Sequence, residues 1–295
     1  MENTNTSKVL KTNEFTIVGT LKNVDKRVGQ SKKGDEYISV TATVESVIDE
    51  VVNEYEINFY TNKYTKEGKE SQLYNTYLDM DALCNKKVLI TGSLRENRYW
   101  NKATSQMSSA QQLTGRWINS TPDSTNDEGS FIIAGFVVKT LLERKNKRDE
   151  IYRYDLTLGQ ADYSDTKMNS FTLHVNPEDK AIVNGVERYQ VGDTVQVKGN
   201  LNFITVETES EDTHGGFGQK IVRKYTNRQR NFYIIGGSDP IDSDEAYSNE
   251  FINELVSAYK ANDVKIEANA KDSVKGNTGT TIPASNITKR QTSLI

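Results

Sequence analysis

The sequence predicts an all-β protein built from two similar five-stranded barrels in series. Three echoes carry this reading. Phe15-Thr16-Ile17-Val18-Gly19 returns as Phe131-Ile132-Ile133-Ala134-Gly135, Val88-Leu89-Ile90-Thr91-Gly92-Ser93-Leu94 returns as Val195-Gln196-Val197-Lys198-Gly199-Asn200-Leu201, and Trp117-Ile118 returns as Tyr233-Ile234. Positions 15 and 131 are 116 residues apart, as are 117 and 233, whereas 92 and 199 are 107 apart. The copies therefore differ in internal length and not in extent. A period this long marks two domains, since solenoid repeats run about 20–50 residues.

Each copy reads as strand, strand, strand, connection, strand, strand. In the first, Phe15, Ile17 and Gly19 open strand one, and Tyr37, Ser39, Thr41 and Thr43 alternate with Ile38, Val40, Ala42 and Val44 at the period of a half-buried strand. Residues 55–60 make the third strand. Leu73, Tyr77, Met80 and Cys84 recur at helical spacing and predict a short amphipathic helix. Residues 88–94 and 111–118 complete the set. This is the order of the OB fold, a five-stranded Greek-key barrel. The second copy repeats it over 131–142, 151–160, 170–175, 194–201 and 232–235, with Val191-Gly192-Asp193 as a tight turn. Its connection 176–190 is shorter and argues against a helix.

The expected organisation is a flexible start over 1–12, one barrel over 13–119, a turn-rich linker over 120–129, and a second barrel over 130–237. An acidic segment follows over 238–261, with a short helix from Phe251, Leu255, Ala258 and Tyr259 within 248–261. Residues 262–295 are poor in apolar side chains and are expected to form a disordered tail.

Hydrophobic residues make up 35% of the chain and charged ones 26%, so the cores are expected to be thin. No stretch approaches the roughly 20 apolar residues of a membrane span. The start, Met1-Glu2-Asn3-Thr4-Asn5-Thr6, lacks the basic and apolar regions of a secretory signal. Cys84 stands alone, so no intrachain disulfide framework exists. These features predict a soluble, cytoplasmic protein. The formal net charge is −4, but Asp239, Asp242, Asp244, Glu245, Glu250 and Glu254 crowd one stretch and leave the rest nearly balanced, with its cations clustered.

Those clusters fall in matched places. The turn after strand one holds Lys22, Lys26, Arg27, Lys32 and Lys33 in the first copy, and Lys139, Arg144, Lys145, Lys147 and Arg148 in the second. The hairpin between strands four and five holds Arg95, Arg98, Tyr99, Trp100 and Lys102 in the first copy. In the second it holds Lys220, Arg223, Lys224, Tyr225, Arg228 and Arg230. Cations interleaved with aromatics suit an unpaired polynucleotide: phosphates need charge and bases need flat partners, each stack contributing about 1–3 kcal/mol with any base. His214-Gly215-Gly216-Phe217-Gly218 reads as a mobile hairpin tip. Strand aromatics Tyr37, Tyr55, Phe59, Tyr60, Tyr152, Tyr154 and Phe171 are divided between core and outer face by period two, and the sequence leaves open which is which. Among them Tyr154 joins the candidate contacts.

Enzyme signatures are weak. His174 and His214 have no second histidine nearby, Asp79-Met80-Asp81 and Asp242-Ser243-Asp244 read as solvated turns, and no Ser/His/Asp set or Walker motif occurs. No metal or cofactor is expected.

Phe15-x-x-x-Gly19 and Phe131-x-x-x-Gly135, with Val88-x-Ile90-Thr91-Gly92, Gly192-Asp193-x-Val195-x-Val197-x-Gly199 and the basic aromatic hairpins, resemble the single-stranded DNA-binding proteins, in particular the tandem OB-fold forms that phages encode. The resemblance spans about 13–237. It implies a protein that coats single-stranded DNA in replication, recombination and repair, and recruits replication proteins through an acidic C-terminal region. The last residues, Lys289-Arg290-Gln291-Thr292-Ser293-Leu294-Ile295, depart from the acidic, Phe-ended tip of the bacterial family. Two barrels per chain can stand in for the subunits of a tetramer, so a monomer is expected, in host cytoplasm if phage-encoded. A protein-protein assembly module of a replisome or virion, and an RNA-binding protein, are the alternative readings.

Overall fold

The computed structural model describes residues 9–212 and 221–275, with the backbone alone for 208–212, 221–223, 225 and 272–275. The first barrel comprises β1 (Asn13–Gln30), β2 (Glu36–Ile48), β3 (Val51–Asn62), β4 (Lys87–Asn101) and β5 (Gln106–Ser120). Alternation decides its inside. Ile38, Val40, Ala42 and Val44 of β2 and Tyr55, Ile57 and Phe59 of β3 are buried, while Tyr37, Ser39, Thr41, Asn58 and Tyr60 face out. β1 pairs with both β2 and β4, and a short parallel contact of β3 with β5 at Ile57 and Leu113 closes the barrel. Helix α1 (Gln72–Leu78) and a 3-10 turn (Met80–Leu83) plug one end. Tyr77 and Met80 of the expected stripe are buried, Leu73 and Cys84 pack beside them, and Tyr74 joins from outside the stripe.

The second barrel repeats the order in β6 (Glu128–Lys145), β7 (Ile151–Ala161), β8 (Met168–Val175), β9 (Thr194–Asp212) and β10 (Ile221–Gly237). It closes through β6–β9 and a parallel β8–β10 contact at His174 and Tyr233. Both halves are OB barrels. The connection 176–190 does hold a helix, α2 (Lys180–Val186). Asp179 caps it by accepting from the Ile182 amide at 3.2 Å, and Val183 and Val186 anchor it. Two buried valines in seven residues are too few to register as a helical stripe.

Gly92 and Gly199, equivalent in the two copies, lie beside matched irregularities of the β4–β5 and β9–β10 ladders. A Cβ on Gly92 would sit 2.1 Å from the Thr114 carbonyl oxygen and 2.8 Å from the Phe15 ring. On Gly199 it would sit 2.1 Å from the Tyr233 carbonyl oxygen and 2.4 Å from the Phe131 ring. Each copy of the motif needs bare backbone there so that its phenylalanine can enter the core.

The barrels share one sheet. β1 pairs antiparallel with β6, Phe15 opposite Phe131, giving the strand order β2-β3-β5-β4-β1-β6-β7-β8-β10-β9. The stretch expected as linker, 120–129, gives Ser120 to β5 and Glu128 and Gly129 to β6. Core aromatics run across the join: Tyr55 meets Phe203, Phe203 meets Phe232, and Phe232 meets Phe131, with ring centres 5.3–6.0 Å apart. Buried polar groups fasten it. The Tyr55 hydroxyl donates to the Leu201 carbonyl at 2.9 Å, and the Gln160 amide donates to the Thr12 and Ala134 carbonyls at 2.8 and 2.6 Å.

Two elements run longer than the sequence predicts. β4 and β5 stay paired to Asn101 and Gln106, and β9 and β10 stay paired to Asp212 and Ile221. Beyond Leu94 and Phe203 these extensions carry mostly polar side chains on both faces, so apolar alternation stops signalling strand. Helix α3 (Asn249–Lys275) extends well past 261. No glycine or proline interrupts it, Ala, Glu and Lys favour helix, and Glu267 pairs with Lys271 one turn on at 2.5 Å. Residues 276–295 of the expected tail lie outside the described residues.

Candidate nucleic-acid interface

Period two sorts the candidate residues of the first barrel. On the outer face of β1–β2–β3, Arg27 lies opposite Ser39 and is exposed. The Tyr37 and Tyr60 rings lie 5.5 Å apart, and Tyr60 is 57% exposed. Thr41 donates to Asn58 at 3.1 Å beside them. Tyr55 and Phe59 are core. Lys26, one residue from Arg27, points the other way. Its ammonium donates to the Leu78 carbonyl at 2.6 Å and pairs with Asp81, which ties β1 to the plug. Lys22 pairs with Glu45 at 2.9 Å. Of the expected turn cations, Lys32 and Lys33 alone occupy the turn, both exposed.

The β4 arm is a strand and not a loop, so its cluster splits. Arg95 and Tyr99 lie on one face, and both are exposed. Glu96, Arg98 and Trp100 lie on the other, under α3. Arg98 donates to Asp263 at 2.7 and 2.5 Å and to Glu96 at 3.1 Å. Glu96 also accepts from the Ser170 amide of β8 at 2.8 Å and from the Tyr259 hydroxyl at 2.6 Å, joining both barrels and α3. Lys102 is exposed in the turn.

The corresponding outer face of the second barrel carries Lys139, Arg144, Arg153, Asp155, Thr157, Thr172 and His174. Asp155 is buried between the Arg144 Nε at 2.6 Å, the Arg153 Nε at 2.8 Å and the His174 Nδ1 at 3.0 Å. Burial alone would raise this carboxyl, but the two guanidiniums and the imidazole outweigh it and hold its pKa below the ordinary value. Burial, reinforced by Arg153, pushes His174 below the ordinary histidine value against the pull of Asp155. Two arginines against one carboxylate leave this face cationic, and Arg144 stays half exposed. The Arg153-x-Asp155 spacing was the sequence signal for this cluster, since i and i+2 share a strand face. Lys145 is near Glu143 and Asp149, and Lys147 and Arg148 are exposed in the turn. Tyr154 packs against the core.

On β10, Arg228 lies 3.4 Å from Glu54 and Arg230 lies 3.5 Å from Glu56, both acids on the outer face of β3. Lys224 is exposed. The side chains of Arg223 and Tyr225, together with Lys220 and the expected tip 214–218, lie outside the described residues.

A cleft between the barrels is divided by α3. One side, about 680 Å³, is lined by Arg98, Gln111, Lys139, Thr172, His174 and Arg230. The other, about 930 Å³, is lined by Arg95, Arg116, Tyr163, Lys167, Tyr259 and Lys265 among others. Arg230 reaches Glu56 on the first barrel's face and also lines the first cleft beside the second barrel's face. Arg116, Tyr163 and Lys167 had no sequence signal, because they come together only through the β1–β6 join. Among the described residues no cluster of His, Cys, Asp and Glu could hold a metal ion.

The family model described as YorF matches residues 11–272. No curated protein matches the sequence. Among solved structures, the chain is similar to the wild-type single-stranded DNA binding protein from Thermus aquaticus, at 12% identity and a TM-score of 0.51, over 81% of this chain and 98% of that one. A deletion mutant of the same Thermus protein aligns at 13% identity and a TM-score of 0.49 over the same shares. At 12% identity the likeness is one of fold.

Proposed function

The chain belongs to the YorF family, and we propose that it binds single-stranded DNA without sequence preference. The observation that carries this is that Arg230, beside Glu56 on the first barrel's outer face, lines the same cleft as Lys139, Thr172 and His174 of the second barrel's outer face. The first face offers Arg27, Tyr37 and Tyr60, and the second offers Lys139, Arg144 and Arg153. Phosphates are held by Arg27, Lys32, Lys33, Arg95, Lys139, Arg144, Lys147 and Arg148. Bases stack on Tyr37, Tyr60 and Tyr99. Stacking accepts any base, and binding by one barrel raises the effective concentration of strand at the other. The fold shared with a protein named for single-stranded DNA binding supports the same reading. The protein acts by occupancy and not turnover, as a monomer in the cytoplasm, protecting exposed strands in replication, recombination and repair. Its acidic 239–254 segment is a recruitment surface for replication proteins.

The test is filter binding of oligothymidine, the matched duplex and the matched RNA at low and high salt. The expected result is preference for the DNA single strand, with affinity falling as salt rises, since each phosphate contact releases counterions. Equal or tighter binding of duplex or RNA, or no binding at all, overturns the proposal.

A further inference from the structure

The two halves of α3 are held in different ways. In the first, Phe251, Leu255, Val256 and the Tyr259 ring pack with Tyr247 against Phe136, Ala161 and Met168 of the second barrel. The second half reaches across to β4 of the first barrel through polar and cation–ring contacts. Asp263 takes the Arg98 guanidinium through two hydrogen bonds. That guanidinium lies 4.2 Å from the centre of the Tyr259 ring, and the Lys271 ammonium lies 5.6 Å from the centre of the Trp100 ring. A carboxylate on an arginine fork occupies the geometry of a bound phosphate. A cation over an indole occupies the face on which a base would stack. This half of the helix also lies between the two parts of the interbarrel cleft, Asp263 lining one and Lys265 the other.

We infer that residues 260–271 of α3 form a strap that a single strand displaces from Arg98 and Trp100, while the first half of the helix, through Tyr259, stays on the second barrel. The inference rests on the single-stranded DNA reading and adds its regulation. Strap and strand compete for the Arg98 fork and the Trp100 ring face, so the two states exclude each other, and whatever loosens the strap tightens strand binding. Lifting the strap joins the cleft into one groove running from Arg95 and Arg116 to Lys139 and Arg230.

Two measurements on the full chain test this. Amide hydrogen exchange over 260–271 is expected to speed up when oligothymidine saturates the protein, while exchange over 249–259 stays unchanged; equal or slower exchange over 260–271 overturns the strap. Asp263→Ala combined with Tyr259→Phe, which keeps the packed ring, is expected to tighten oligothymidine binding at least about fivefold, the low end for coupled equilibria. Equal or weaker affinity in that variant also overturns it. If neither the native chain nor the variant binds oligothymidine, the function itself fails and the strap with it, a result distinct from binding without strap release.

Discussion

Phe15 and Phe131 hold the same position in the two repeats and face each other directly across the antiparallel β1–β6 pair. The repeat is therefore also a local twofold relation, with its axis passing between these two residues. Sheet and core both run through the join, so neither barrel ends where its sequence copy ends.

That continuity predicts a single unfolding transition. Calorimetry of the full chain is expected to give one cooperative peak, and Phe15→Ala, which truncates a ring 1% exposed, should lower it whole by about 3–5 kcal/mol. Two resolved peaks, with one unmoved by the substitution, would show independently stable barrels.

Gly199→Ala forces a methyl group against the Tyr233 carbonyl and the Phe131 ring. Overpacking of this kind costs about 1–3 kcal/mol or more, and Gly92→Ala should behave alike. Denaturant titration checks it; a midpoint equal to that of the native chain would mean the strand can shift aside freely.

Acid should weaken the second barrel through Asp155 and His174. Both have folded pKa values below their unfolded ones, so both contribute stability that is present at high pH and lost on acidification. His174 acts first, as pH falls below the unfolded histidine value of about 6.5, and Asp155 follows below about 3.9. The melting temperature is expected to fall between pH 7 and pH 5, and to fall less in His174→Asn. An equal fall in that variant would place the sensitivity elsewhere.

Neighbouring residues of β1 should behave in opposite ways. Arg27→Ala and Tyr60→Ala are expected to weaken oligothymidine binding, the tyrosine by about 1–3 kcal/mol if one base stacks on it. Lys26→Ala removes a contact to the plug and should lower stability while leaving affinity near that of the native chain. Fluorescence anisotropy with thermal melts of the three variants separates these effects, and a larger affinity loss for Lys26 than for Arg27 would reverse the assigned faces.

The barrels were legible because their inner strands alternate and because Phe15, Gly92, Phe131 and Gly199 obey one packing rule twice. The arms beyond Leu94 and Phe203 were not, since α3 covers β4 through Glu96 and Arg98 and not through an apolar stripe that would alternate. The candidate site was legible as composition and not as geometry. Lys26 and Arg27 look equivalent in a string, yet a strand sends them to opposite sides. Arg98 and Trp100 read as free loop residues, and nothing nearby in sequence announces that Asp263 and Lys271 will cover them.

Photocrosslinking of oligothymidine to the full chain, with the attachment sites mapped by mass spectrometry, addresses the central claim most directly. The account predicts attachment on both barrels, at Tyr37 or Tyr60 on one and along β7–β8 near Thr157 and Thr172 on the other. Attachment confined to one barrel, or to surfaces away from these faces, would contradict it.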